Sequence, residues 1–308
     1  IVAGTSLTGK AYAKVNLHLE VKSKRPDGYH DLVSLFHAID LHDDICVTVK
    51  PAQVFDCRIE GMADVDLTAN TMYKAALGYC TAVGHPLDVS ISIRKRIPME
   101  AGLGGGSSDA ACVLHLLNHL DGSPLSMQRL LGVAAHIGSD VPFFTTRLAA
   151  AVVTGRGEHV QGIEARDDLC CLVAVPHGYR VSTKAAFERL DRARTGGKKD
   201  ASRASLAVSE LEPMYRHSCA TWQFFNDFQA LADDPEGHYR SYGQQVGCTP
   251  DCFGTLSGSG SAYVMFSTRR DVLDQLACSI FKDDNKNTLF LTKCLHAGDI
   301  DANLLVIR

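Results

Sequence analysis

Ala101-Gly-Leu-Gly-Gly-Gly-Ser-Ser-Asp-Ala-Ala111 places four glycines and two serines between a strand-like and a helix-like stretch. Upstream, Leu87, Val89, Ile91 and Ile93 alternate with Asp88, Ser90 and Ser92, the period of a half-buried strand. Downstream, Ala110 to Leu120 is rich in Ala and Leu and runs to Gly122, which reads as a helix with a glycine stop. A glycine-rich turn opening a helix points several backbone N–H groups at one place, and the helix dipole adds partial positive charge there. Such a turn can cradle a phosphate. Gly102, Gly104, Gly105 and Gly106 remove side chains where a ligand would approach, and Ser107, Ser108 or Asp109 is placed to cap the helix. The stretch lacks the Gly-Lys-Ser/Thr ending of a Walker A loop. It also lacks the third glycine of a dinucleotide fingerprint, whose register falls on Ser107.

The 308 residues suggest two domains. With 45% hydrophobic and 21% charged residues the composition is that of a globular protein with ample core. A net charge of -4 gives no electrostatic footprint for nucleic acid. No apolar run approaches 18 residues, so no transmembrane helix is expected. Eleven cysteines form no Cys-x-x-Cys and have no nearby His to complete a zinc pattern. They read as reduced, mostly buried thiols of a cytoplasmic protein. What precedes Ile1 is left open. Arg192 to Ser205, centred on Thr195-Gly-Gly-Lys-Lys-Asp200, reads as an exposed loop.

Residues 10 to 21 alternate cleanly. Ala11, Ala13, Val15, Leu17, Leu19 and Val21 share one face, and Lys10, Tyr12, Lys14, Asn16, His18 and Glu20 the other. A sheet with one wet face would explain that pattern, and nothing in the strand itself singles out Lys14. Arg25-Pro-Asp-Gly-Tyr-His30 is turn chemistry followed by two planar side chains, which could meet a flat ligand or simply pack at the loop base. Asn70-Thr-Met-Tyr-Lys-Ala-Ala76 opens a helix, with Asn70 placed to cap it. Ser126 to Ile137 forms another helix, with Gly138 at its C′ position. Asp140 then leads into Val141-Pro-Phe-Phe144. By itself it reads first as a turn or capping residue, though apolar neighbours would desolvate it and suit it to base work. Leu169 to Val175 is a strand candidate, and Val181-Ser-Thr183 opens a helix through Leu190. Leu256-Ser-Gly-Ser-Gly-Ser-Ala-Tyr-Val-Met-Phe266 is either a tight hairpin or a second anion-facing loop.

Taken together and in order, these pieces resemble the GHMP small-molecule kinases, and within them the diphosphocytidyl-methylerythritol kinase branch. The resemblance rests on Ala13-Lys-Val-Asn-Leu17, Asp27-Gly-Tyr-His30, Pro98 to Ala111, Gly138-Ser-Asp-Val-Pro-Phe-Phe144 and Leu256 to Ser261. The second of these is particular to the branch. Glu100 stands where the ATP loop usually has Gly, Ser139 where the branch often has Ala, and the basic loop after Asp191 is longer than usual.

The resemblance implies an α+β fold of two domains. A ribosomal-protein-S5-domain-2-like N-terminal domain, about residues 1–165, would bind ATP. A ferredoxin-like C-terminal domain, 166–308, would complete the substrate cleft. It implies transfer of the γ-phosphoryl of ATP, accompanied by Mg²⁺, to the 2-hydroxyl of a diphosphocytidyl-methylerythritol, a step in isoprenoid synthesis. Asp140 would accept the hydroxyl proton with Lys14 beside it. Pro98, Ala101, Gly102, Leu103, Gly104, Gly105, Gly106, Ser107, Ser108 and Asn70 would hold ATP; Asn16, Tyr29, His30 and Thr183 would hold the substrate. A monomer or homodimer without nucleic-acid or membrane partners is expected. Two alternatives stay open at this point: a GHMP kinase for another alcohol, or a non-catalytic nucleotide-binding regulator on the same fold.

Overall fold

The structure, a computed structural model, describes residues 4–62, 66–179, 181–195, 205–283, 286–301 and 305–307. The predicted 192–205 loop is corrected at its start: residues 192–195 continue the helix that begins at Thr183, because nothing in Arg192-Ala-Arg-Thr195 breaks it; residues 196–204 lie outside the described residues.

Two long strands, β1 (Ser6–Lys24) and β2 (His30–Pro51), form a hairpin across the Pro26-Asp-Gly turn. Their length lets one half of β2 pair with β4 (Leu87–Arg94) and the other with β5 (Ala150–Gly155). β3 (Asp56–Glu60) adds in parallel to β4, and β6 (His159–Gly162) pairs antiparallel with β5. The last strand, β11 (Leu305–Ile307), returns to pair with β1. β4 shows the alternation read from its sequence, with Leu87, Val89, Ile91 and Ile93 buried. Helices α1 (Thr71–Val83), α2 (Gly105–Leu120), α3 (Met127–Ile137) and the short α4 (Val141–Thr146) belong to this half; apolar side chains of the first three and Val141 pack on β1, β2 and β4.

The chain leaves that sheet after Gly162. β7 (Cys170–Pro176), β8 (Phe253–Leu256), β9 (Tyr263–Ser267) and β10 (Asn287–Lys293) form a second, wholly antiparallel sheet in the order β10-β7-β9-β8. Helix α5 (Thr183–Thr195), followed by α6 (Val208–Arg216) and α7 (His238–Gly247), connects β7 to β8; α8 (Arg270–Asp283) connects β9 to β10. Two βα crossovers around a central hairpin give the ferredoxin-like pattern.

The expectation of a wet face on β1 fails. From Ala11 to Val21 every residue is buried, Lys14, Asn16 and His18 included. Ala13, Val15 and Leu17 pack with Val173, Val264 and Phe266 of the second sheet. The polar face meets the hairpin β8–β9 and the 224–228 segment, where Leu19 N–H donates to Phe225 O at 2.8 Å. A bulge between Asn16 and His18 also breaks the alternation, so Leu19 rather than His18 follows Asn16 into the cleft described below.

Three capping expectations are corrected. Helix α2 starts at Gly105, so Ser107, Ser108 and Asp109 lie inside its first turns and cap nothing; the cap position is Gly104, whose left-handed backbone (φ 70°) makes the turn. Gly138 ends α3 in an extended conformation, not left-handed, because the chain runs straight out toward Ser139. Asp140 precedes α4 without a side-chain capping bond. Asn70 and Ser126 do cap α1 and α3.

Candidate active site

A cleft of about 830 Å³ opens where the glycine turn, β1 and helix α5 converge, a size suited to a nucleotide-scale ligand. The turn is shaped by what its glycines leave out. A Cβ on Gly102 (φ 76°) would collide with the Ser257 carbonyl, and one on Gly104 would sit 2.8 Å from the Phe144 ring and 3.0 Å from Lys14 Cγ. The hairpin tip at 257–261 holds the turn from the other side. Ser257 Oγ donates to Gly102 O at 3.0 Å, and Ala262 N–H to Ala101 O at 3.0 Å. Lys14 N–H donates to Leu103 O, also at 3.0 Å. The Gly-Ser stretch is therefore a hairpin whose tip, Gly258 and Ser259, also faces the cleft. Ser108 N–H is the first to bond back into α2, to Gly104 O at 2.9 Å. The preceding amides form the open N-terminus of the helix.

Lys14 Nζ lies 3.5 Å from Asp140 Oδ2 and donates to Asn16 Oδ1 at 2.6 Å; it also sits over the Phe36 ring. Burial lowers the Lys14 pKa from its usual value, and the Asp140 charge opposes that. The Lys14 side chain is 4% exposed and that of Asp140 30%. Asp140 is thus less desolvated than its apolar sequence neighbours suggested, because α4 turns those neighbours inward and leaves the carboxylate at the cleft wall. Asn16 is committed internally: Oδ1 also accepts from Gly258 N–H at 2.9 Å, and Nδ2 donates to Ser34 Oγ at 3.0 Å.

The other predicted residues fall as follows. Pro98, Ala101, Leu103, Gly105, Gly106, Ser107 and Asn70 line the cleft; Asn70 Oδ1 is occupied by Met72 N–H. Ser108 does not line it and faces a small separate pocket beside Cys112. Thr183 opens α5 with Oγ1 3.2 Å from Ser259 Oγ. At the far end Tyr29 is 56% exposed with the Arg156 guanidinium 5.0 Å above its ring. His30 is buried, stacked on Phe187 and 2.8 Å from Asp191.

Sequence reasoning missed several of these neighbours. Phe187, Asp191 and Arg156 are cleft residues that carried no motif. Lys95 also faces the cleft and bonds two buried carboxylates, Asp43 at 2.6 Å and Asp109 at 2.8 Å. Burial pulls the Lys95 pKa down, but the two carboxylates outweigh it and raise it. Burial raises that of Asp109, against the pull of Lys95. Asp43 Oδ1 accepts from the backbone N–H groups of Arg96 and Ile97, fixing the path into the glycine turn. Arg94-Lys95-Arg96, the basic run that ends the alternating strand β4, does not by itself reveal the cluster.

Among the described residues no cluster of three or more His, Cys, Asp or Glu could hold a metal by itself. The cleft does offer hard oxygen donors near the glycine turn: the Ser107 hydroxyl, the Asp140 carboxylate, and Asp109 Oδ1, which is buried without a hydrogen-bond partner. That set fits a Mg²⁺ that takes most of its ligands from phosphate and water. The eleven cysteines are unpaired, and only Cys248 and Cys278 are exposed. No described helix is long and apolar enough to cross a membrane.

Residues 70–147 match the family model described as GHMP kinases N terminal domain. With the two-sheet fold and the glycine turn, this makes the class that of an ATP-dependent small-molecule kinase. A solved structure titled homoserine kinase from Cytophaga hutchinsonii shares the fold (TM-score 0.69, 15% identity, covering 100% of this chain and 98% of that one). A solved 4-(cytidine 5'-diphospho)-2C-methyl-D-erythritol kinase has a TM-score of 0.69 at 27% identity, covering 93% of this chain and 98% of that one. The 4-diphosphocytidyl-2-C-methyl-D-erythritol kinase of Treponema pallidum (strain Nichols) is 34% identical over 86% of this chain and 91% of its own length. That of Salinispora arenicola is 40% identical over 60% of this chain and 59% of its own length. The chain belongs to the 4-diphosphocytidyl-2-C-methyl-D-erythritol kinase family.

Proposed function

We propose that the chain transfers the γ-phosphoryl of ATP to the 2-hydroxyl of 4-diphosphocytidyl-2-C-methyl-D-erythritol. The observation that supports this best is the Lys14–Asp140 pair set in the same cleft as the glycine turn. Phosphoryl transfer asks a protein for positioning and charge stabilisation more than for covalent chemistry. In this reading the open amides at the start of α2 receive the phosphates, within the wall built by Pro98, Ala101 to Ser107 and Asn70. Asp140 accepts the proton of the attacking hydroxyl. Lys14, 3.5 Å from Asp140, draws charge from the migrating phosphoryl. Asn16 keeps Lys14 aimed. Ser107, Asp109 and Asp140 would hold a Mg²⁺ that accompanies ATP, and its charge would neutralise the phosphates. Tyr29 and His30 take the cytosine, and Thr183 faces the same ligand from α5.

The division of labour follows the sheets. Residues 1–165 supply the phosphate turn and the Lys14–Asp140 pair; residues 166–308 close the cleft through α5 and the β8–β9 tip, while β11 rejoins the first sheet. A panel of alcohols with ATP consumption as readout tests the proposal: the diphosphocytidyl alcohol is turned over, and mevalonate and homoserine are not. Equal turnover of homoserine would overturn the substrate assignment, and no turnover of any alcohol would favour a regulator.

A further inference from the structure

We propose that Asp191, tied to Lys24, makes the cleft specific for a base carrying an exocyclic amino group by fixing which ring nitrogen of His30 bears the proton. This rests on the reading that His30 meets the base.

The two carboxylate oxygens of Asp191 have separate partners. Oδ2 accepts from Lys24 Nζ at 2.7 Å, and Oδ1 lies 2.8 Å from His30 Nε2. The hydrogen bond from Lys24, and then that from His30, hold the Asp191 carboxyl below its usual range, so it is ionised at neutral pH. An ionised carboxylate only accepts hydrogen bonds. His30 Nε2 must then be the N–H, and in the neutral ring Nδ1 is the lone pair. Nδ1 has no hydrogen-bond partner among the described residues. The ring cannot turn to exchange its nitrogens easily: it is 5% exposed and stacked on Phe187, with centroids 5.1 Å apart and planes 24° from parallel. All five groups, Lys24, Tyr29, His30, Phe187 and Asp191, line the same end of the cleft. An acceptor at Nδ1 suits the amino donor of cytosine and opposes the carbonyl that uracil carries at the same position. Asp191 touches His30 rather than the base in this arrangement, so it is a positioning residue.

The test compares kcat/KM for the cytidine substrate and its uridine counterpart in wild type, Asp191→Asn, Lys24→Met and His30→Ala. An asparagine can donate as well as accept, so it releases the lock. Asp191→Asn is expected to cut the cytidine-to-uridine ratio about tenfold, the worth of one polar match. The loss should lie in KM for the nucleoside substrate, with KM for ATP unchanged. Lys24→Met should shift the ratio the same way. ¹⁵N NMR of wild-type His30 should show the Nε2–H tautomer; an Nδ1–H tautomer overturns the lock whatever the variants do. If His30→Ala abolishes discrimination while Asp191→Asn keeps the wild-type ratio, the lock is wrong and the base site stands. If His30→Ala leaves the ratio unchanged, His30 does not read the base and both ideas fall.

Discussion

Lys14 Nζ stands 3.5 Å from Asp140 Oδ2 across the cleft wall, although the two residues come from a β-strand and from the entry to a short helix. The lysine is buried and the aspartate is partly open to solvent, an arrangement that keeps the cation fixed and the carboxylate reachable by a hydroxyl. Asp140→Asn keeps shape and removes the proposed base. It is expected to lower kcat at least about 100-fold while ATP affinity, measured by calorimetry, changes little. Near-normal turnover in that variant would assign the proton to another group.

The glycine turn has no room for a methyl group at 102. Gly102→Ala combines a left-handed backbone with a collision against the Ser257 carbonyl, which is backbone and cannot rotate away. The expected cost is at least ~2 kcal/mol of stability, read from denaturant midpoints, with ATP binding lost in the fraction that still folds. A variant as stable as the parent would mean that the turn relaxes without its partner hairpin.

Glu100 is the departure from the glycine found in the family's ATP loop, and it occupies a left-handed conformation with φ 57° at the edge of the cleft. Glu100→Gly removes both strain and a negative charge beside the proposed phosphate site. Stability should rise by roughly 0.5–1 kcal/mol, and KM for ATP should fall a few-fold, more at low ionic strength. An increased KM would show that the carboxylate helps nucleotide binding.

His37 is fully buried, with Nδ1 donating to Ala38 O and Nε2 accepting from Tyr215 OH, both at 2.9 Å. Burial lowers its pKa to about 4, and that of buried His18 likewise to about 4. Unfolded histidine titrates near 6.5, so between those values the unfolded chain binds more protons than the native one. The stability these rings contribute is present in full above about pH 6.5 and is lost as pH falls toward 4. Urea midpoints between pH 7 and 4 should decline accordingly, and the His37 ring resonance should not titrate above pH 5. A flat midpoint over that range would contradict the neutral buried ring.

Much of the site could be read in the sequence because glycines and caps act locally. Asn70 and Ser126 cap the helices they precede, and the glycine turn opens a helix as its composition required. The failures were of longer range. Whether the polar face of β1 met water depended on residues more than 200 positions away, at Phe225 and Ser257. The alternation was also broken by a bulge that no residue type announces. The Lys95 cluster was invisible for the same reason: Asp43 and Asp109 reach it from a strand and a helix whose packing is set by tertiary contacts. Phe187 and Asp191 sit on an ordinary amphipathic helix, and only the fold aims them at His30.

The shared burial of β1 bears on how such a kinase can be divided. One strand carries the lysine of the site and also donates Ala13, Val15 and Leu17 to a core completed by the other sheet. The two halves are therefore not interchangeable modules to be expressed or swapped at the 165 junction. A fragment ending there should bare this apolar strip, bind a hydrophobic dye and self-associate. Joining it with the separately made remainder should quench the dye if the strip is what holds the two together.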